Sequence, residues 1–472
     1  MGQELKRTDF HDEDYAVFTD RLKKETALLE SWEQSDKLSH APVSAGFELE
    51  AWLTDTALRP SPKNTDFMEA VDDPMIVPEL SRFNVEFNGE PETLTGAGIS
   101  RMHLALTELW QHAFDCAESM DMKLAMIGIL PTVKDSDLCI ANMSATKRFK
   151  ALNEQVLRLR KGKPIKLDIQ GEDRLQSEHM DVMLEAAATS FQIHIKVPRG
   201  QGGDYYNASK IASAPLVAVA ANSPYLFGKN LWAETRIPLF EQAVSVGDWD
   251  YAERVTFGVR FIEKGLSEVF AANRQRYPVL LPQNTDRPIE KLDHLRLQNG
   301  TIWRWNRPLV GWDKDGTPHL RLEQRVVPAG PTIIDSMANA AFYYGLVTAL
   351  ANHSLRPHKR AQFFTTRDNF YAAAQYGLDA EIRWNHEDSQ PMDQLILDEF
   401  LPMAEEGLNQ LQIDEADIWR YLDIISGRAR NKQNGATWQR RYVAKHGASM
   451  QEMLDAYIIL QQTEIPVHEW PL

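Results

Sequence analysis

The chemically richest residues of this chain fall in four short stretches where apolar and polar side chains alternate: AGFELEAWL (45–53), RFNVEFNGE (82–90), SFQIHIKVP (190–198) and HLRLEQRVVP (319–328). Alternation of this kind is the signature of a strand, whose successive side chains point to opposite faces. One face of each stretch is apolar. The other gathers Glu48 and Glu50, then Asn84, Glu86 and Asn88, then Gln192, His194 and Lys196, then Arg321, Glu323 and Arg325. A sheet face open to water usually mixes Lys, Thr, Ser and Glu. These stripes instead hold Glu, Asn, Gln, His and Arg, the donors and ligands of polar sites.

If Glu48, Glu50, Glu86 and Glu323 converge, each like-charge pair at about 5 Å and an effective dielectric of about 20 costs roughly 3 kcal/mol. Summed over the set, that repulsion exceeds the roughly 5–15 kcal/mol by which a domain is stable. Such a site must protonate some carboxylates or hold cations. All-carboxylate oxygen ligation suits Mg²⁺ or Mn²⁺, and Mg²⁺ held this way keeps positions open for phosphate oxygens. Arg321 and Arg325, with Lys196 nearby, can take the remaining phosphate charge. His194 suits Mn²⁺ or a phosphate contact, and a hydrogen-bonded core histidine is the plainer alternative. The chain has neither a GxxxxGK[ST] loop nor a dinucleotide-type GxGxxG, so a nucleotide would lie on the sheet and not at a glycine-rich helix start.

Helical spacing of apolar residues predicts helices over 13–36, 98–118 and 143–160 to position these strands. The order is too irregular for a repeating βαβ ladder, which points to an α+β fold with a curved, largely antiparallel sheet: one polar catalytic face, and helices on the other. Past Gly330-Pro331, Thr332 and Asp335 are spaced as an N-cap and its reciprocal partner for a long helix reaching Leu350, and helices dominate from there to Leu472. A soft boundary near residue 335 separates a catalytic region, 1–335, from a helical one, 336–472, which can equally pack as part of the same domain. Residues 60–78 and 281–300, rich in Pro, Asp and Asn, read as long surface loops suited to covering a site.

Composition narrows the function classes. The 472 residues carry 51 Lys+Arg against 67 Asp+Glu, a net charge of −16, which repels phosphate backbones and anionic lipid surfaces. No nucleic-acid or membrane partner is expected. Two cysteines exclude a disulfide framework. The charged N-terminal stretch has no apolar leader core and no run approaches the length of a membrane span, so a cytoplasmic protein is expected. Two basic-aromatic segments remain. TIWRWNRPLVGW (301–312) places Trp303 and Arg304 where they suit a purine or a carboxylate. The cluster from Arg428 to Arg441 reads as a solvated helical face or a phosphate-facing lid, in preference to a nucleic-acid platform.

Taken in order, these segments resemble the glutamate-cysteine ligase type 2 family, ATP-dependent carboxylate–amine ligases whose catalytic fold is related to glutamine synthetase and the guanidino kinases. GFELEAW looks like the family's first metal-binding strand and SFQIHIKV like its Q-x-H strand. ANSPYLFGKNLWAETR is similar to its Asn-Ser-Pro segment leading to a substrate-site arginine, LRLEQRVVPAGPT to its E-x-R strand and NFYAAAQYGLDA to a following helix. The resemblance implies metal-site roles for Glu48, Glu50, Glu86, His194 and Glu323, and an ATP-phosphate contact for Arg325. It implies that Arg236 steadies the substrate carboxylate or the transferring phosphoryl group. Gln192, Lys196 and Arg321 join Arg325 as candidate nucleotide contacts, and Asn88, Trp303 and Arg304 join Arg236 at the substrate. ATP and Mg²⁺, with Mn²⁺ as substitute, are the implied cofactors, and the fold leaves room for a homo-oligomer.

The reaction so implied joins the γ-carboxylate of glutamate to an amine, cysteine or another amino compound, through a γ-glutamyl phosphate. Where the family commonly has acidic residues after E-x-R, this chain has Val326-Val327-Pro328-Ala329-Gly330, which leaves the acceptor amine open. A kinase or phosphohydrolase on the same fold, or a non-catalytic ATP-binding protein, are the alternatives.

Overall fold

Twelve residues, Ser44–Asp55, form the longest strand and the axis of the main sheet. The computed structural model describes residues 5, 7–247, 253–352, 362–384 and 388–472. Numbered in chain order, the strands of this sheet are β1 (Ser44–Asp55), β2 (Ile76–Pro78), β3 (Asn84–Asn88), β4 (Glu92–Thr93), β5 (Met122–Ala125), β6 (Phe191–Lys196), β7 (Asn306–Trp312) and β8 (Pro318–Gln324). Their order is β7-β8-β6-β1-β3-β2, with β4 and β5 also pairing β1. Every pairing is antiparallel, so the fold is the expected curved antiparallel sheet with helices.

All four alternating stretches are strands. The last one ends as a regular strand at Gln324, but contact with its neighbours goes on: Arg325 donates its backbone N–H to Trp305 O at 2.9 Å, Val327 O accepts from Phe191 N at 3.0 Å, and Pro328 forms an isolated bridge with Ser190. Phe47, Leu49, Val85, Phe87, Phe191, Ile193 and Leu322 line the apolar face and are fully or nearly fully buried. Helices Gly202–Ala220 and Ile333–Asn352 cover it. Both are buried around almost their whole circumference, which fits helices enclosed between a sheet and other helices. Gln324 breaks the apolar stripe, but its amide donates to Ser209 O and to Ser213 Oγ of the first of these helices, so the polar group is satisfied.

The predicted helices are Asp12–Gln34, Gly98–Ser119 and Lys147–Leu159. Thr332 caps the helix Ile333–Asn352 as expected, accepting from Asp335 N at 3.1 Å and donating to the Asp335 carboxylate at 2.8 Å. The two supposed long loops are structured instead. Residues 60–78 contain the helix Asn64–Val71, which buries Phe67 and Val71, and strand β2, while residues 281–300 contain the helix Asp293–Asn299. Proline and aspartate at their ends masked two elements too short to show a period.

The basic cluster near the C-terminus divides: Arg430 and Arg441 are on the solvated face that was expected, whereas other members turn inward. Arg428 is 1 % exposed and paired with Asp335 at 2.7 Å, and Trp438 is fully buried. No helix among the described residues is long and apolar enough to cross a membrane.

Candidate active site

The polar face of the sheet forms the floor of a cavity of about 400 Å³. Register explains how the acids meet. Glu50 lies opposite Glu86 on β3, Glu48 opposite Gln192 on β6, and Glu323 of β8 opposite His194 of β6. Four neighbouring strands therefore deliver their polar stripes to one place.

Two groups of ligand atoms result, each with all its atoms within 4.8 Å of one another: Glu48, His194 and Glu323, and Glu50, Glu79 and Glu86. His194 is 6 % exposed, and its Nε2 lies 3.5 Å from Glu48 Oε1 and 3.9 Å from Glu323 Oε2 without a hydrogen-bond partner. Burial holds this imidazole down to about 4 against the pull of Glu48, so at neutral pH it keeps a lone pair. A buried orphan nitrogen facing two carboxylates is the donor set of a cation site.

Among the described residues, six arginines, Arg148, Arg236, Arg296, Arg307, Arg321 and Arg325, line the same cavity as six glutamates, Glu48, Glu50, Glu79, Glu86, Glu185 and Glu323. Formal charge is thereby balanced, so the repulsion estimated from the four strand acids alone was too large. The balance is uneven, however. Arg307 donates to Glu323 Oε2 at 2.8 Å and Arg325 to Oε1 at 2.5 Å. Burial would raise the Glu323 carboxyl, but these two guanidinium groups hold it well below the ordinary range.

The other end of the cavity behaves oppositely. Burial, then Glu79, pushes Glu50 up to about 7 and Glu185 to about 8. Burial, then Glu48 and Glu79, pushes Glu86 well above its ordinary value. Glu50 nevertheless has fixed geometry, accepting from Ser190 N at 2.6 Å and from Gln192 Nε2 at 2.9 Å. The Gln192 carbonyl oxygen in turn accepts from Arg325, so one amide links the two ends.

Arg236 is 2 % exposed at the start of the helix Arg236–Ala243 and donates to Glu234, Val326 O and Arg325 O. Trp303 contributes an aromatic wall, with Phe240 and Phe270.

Three expected site residues lie elsewhere. Lys196 is at the far end of β6, where its amine donates to both Asp313 carboxylate oxygens at 2.9 Å and to Ser39 Oγ at 2.9 Å. Arg304 is turned into the core, with its guanidinium on Asn273 Oδ1 at 2.8 and 3.0 Å. Asn88 does not line the cavity but donates to Glu86 Oε1 at 3.0 Å, behind it. The sequence reading missed Glu79, Arg148, Glu185 and Arg296, which come from a turn, short helices and a helix start. It also missed Arg307 as a partner of Glu323, although the Asp315-Gly316 turn between β7 and β8 marks the hairpin that pairs them.

The family model of glutamate-cysteine ligase family 2 matches residues 44–459. A glutamate–cysteine ligase 2 candidate of Trichormus variabilis is 33% identical over 105 residues, 20% of this chain and 27% of the relative's own length. The crystal structure of the glutamate–cysteine ligase of Francisella tularensis in complex with AMP superposes with a TM-score of 0.60 at 13% identity, covering 92% of this chain and 90% of that one, a likeness of fold. With the family match spanning both acidic clusters and all six cavity arginines, the chain belongs to glutamate-cysteine ligase family 2.

Proposed function

We propose that the protein is an ATP- and Mg²⁺-dependent carboxylate–amine ligase that joins the γ-carboxylate of glutamate to an amine, and that it works in the cytoplasm. The observation that carries this reading is the single cavity in which two carboxylate clusters face a set of arginines. AMP in the Francisella tularensis structure supports a nucleotide as one occupant. Glu48, His194 and Glu323 would hold one divalent cation and Glu50, Glu79 and Glu86 another, the orphan His194 Nε2 fitting such an ion. Bound there, Mg²⁺ would neutralise phosphate oxygens.

The chain's own groups do the rest. Arg325, locked between Glu323 and Gln192, presents its guanidinium to the triphosphate, with Arg321 beside it. Arg236 holds the acid's carboxylate. The γ-carboxylate oxygen attacks the γ-phosphorus of ATP, the bond to the β–γ bridging oxygen breaks, and ADP leaves. The amine nitrogen then attacks the acyl carbon, phosphate departs and one proton is lost from nitrogen. Positioning and electrostatics carry both steps.

The test is incubation with ATP, Mg²⁺, glutamate and a panel of amines. ADP released in step with a new amide supports ligation. ADP released at the same rate without any amine indicates a phosphohydrolase, and a stable phosphorylated acceptor seen by phosphorus NMR indicates a kinase.

A further inference from the structure

Arg236 has one ion-pair partner among the described residues, Glu234, and we propose that Glu234 is the positioning residue that aims Arg236 at the acid substrate, itself steadied from the C-terminal helices by Tyr457 acting through Asn222. This rests on the carboxylate-binding role assigned to Arg236 above.

The geometry is that of a built cradle. Arg236 Nη1 donates to Glu234 Oε1 at 3.3 Å, while the other guanidinium contacts are backbone carbonyls of the segment that leaves β8, Val326 O and Arg325 O, both at 3.3 Å. Its Nε, buried, has no partner. A buried cation on the cavity wall with an unused N–H is an anion-binding position. Gly128 makes space for it: a Cβ there would stand 3.0 Å from Arg236 Cδ and 3.1 Å from Ser223 Cβ.

Glu234 is 0 % exposed, and its two oxygens serve three donors. Oε2 accepts from Asn222 N at 2.9 Å, and Oε1 accepts from Ser223 Oγ at 2.7 Å as well as from Arg236. A carboxylate can satisfy all three; an amide offers only one acceptor oxygen and presents N–H groups to the remaining donors. Asn222 is held in turn. Its Nδ2 donates to Tyr457 Oη and Ala329 O at 2.8 Å, its Oδ1 accepts from Gln439 Nε2 at 2.9 Å, and Tyr457 donates to Met126 O at 2.7 Å. Tyr457 and Gln439 belong to the helices Met450–Gln461 and Gly435–His446, so these two helices reach the site through hydrogen bonds without lining it.

The experiment is calorimetric titration of the full chain with glutamate and, separately, with a nonhydrolysable ATP analogue and Mg²⁺, for the parent, Glu234→Gln, Glu234→Asp, Tyr457→Phe and the Glu234→Gln/Tyr457→Phe pair. The expected Kd for glutamate rises at least about tenfold in Glu234→Gln, with nucleotide affinity within about twofold of the parent, and Glu234→Asp recovers part of the loss. Tyr457→Phe weakens glutamate about threefold, and adds nothing further to Glu234→Gln, because both act through one arginine. Unchanged glutamate affinity in Glu234→Gln overturns the proposal, as does equal weakening of glutamate and nucleotide, the mark of general loss of structure. Independent, multiplying effects in the double variant overturn the part played by Tyr457. A parent that binds neither compound contradicts the ligase reading as well, whereas a parent that binds both with Glu234→Gln unaltered contradicts this inference alone.

Discussion

Glu50 and Glu86 stand directly opposite each other across the β1–β3 ladder, with both side chains on the cavity face. Like charges at opposed positions destabilise a sheet, and burial makes the conflict worse. Glu86→Gln should therefore raise the thermal midpoint of the metal-free protein. The same variant should lose most of the stabilisation that Mg²⁺ with a nucleotide gives the parent, and its ligation rate should fall about 100-fold, in the range of lost transition-state electrostatics. Differential scanning fluorimetry with and without Mg²⁺, beside an ADP-release assay, checks both signs. A lower midpoint without metal would contradict the account.

Arg325 supplies a planar fork shared between Glu323 and Gln192. Arg325→Lys keeps the charge but not the two-pronged geometry. The expected result is a fall in kcat of about 10- to 100-fold, because a positioned donor is lost while the fold, judged by circular dichroism, is retained. Near-parental kcat would reduce Arg325 to a generic counter-charge.

A separate pH effect on stability is expected from Glu241, whose Oε1 accepts from Trp305 Nε1 at 2.8 Å and from Tyr371 Oη at 2.7 Å. Burial, opposed by these two hydrogen bonds, raises its carboxyl from the ordinary 4.5 to about 7. The folded value lies above the unfolded one, so the stabilising contribution is complete below pH 4.5 and disappears as pH rises through 7. Its size is at most about 3 kcal/mol. Glu241→Gln retains an acceptor oxygen and removes the titration. Urea unfolding of parent and variant at pH 5 and pH 8 should show the variant gaining on the parent at the higher pH; a constant difference would refute the assignment.

The strands that build the site were legible because a period of two with one chemical and one apolar face is a strong local signal, and the register of β1, β3, β6 and β8 then brought Glu48, Glu50, Glu86, His194 and Glu323 together. Lys196 shows the limit of that logic. Sharing a face with Gln192 and His194 places it on the right side of the sheet, but two further residues along β6 carry it about 7 Å away, to Asp313. Arg304 and Arg428 were misread because local sequence does not reveal whether a cation will find Asn273 or Asp335 in the core. Glu79 and Glu185 come from segments without periodicity, and Arg148 from the expected helix Lys147–Leu159, whose period does not mark it as a site residue, so only the tertiary fold identifies them.

The Lys196 correction carries its own prediction. Lys196→Met should leave the KM for ATP unchanged while lowering stability by about 1–3 kcal/mol, because Asp313 and His319 at 2.8 Å lose the cation that anchors them. Steady-state kinetics at saturating glutamate and a denaturant titration separate the two effects. A several-fold increase in the KM for ATP would return Lys196 to the nucleotide site.

The central claim is that acids from separate strands gather divalent ions around a triphosphate. The most direct test is a crystal grown with Mn²⁺ and a nonhydrolysable ATP analogue, read by anomalous scattering. The account predicts manganese peaks within ligand distance of Glu48 with Glu323 and of Glu50 with Glu86, bridged by phosphate oxygens that also meet Arg325. A triphosphate bound outside this cavity, or manganese absent from both clusters with the nucleotide in place, would contradict it.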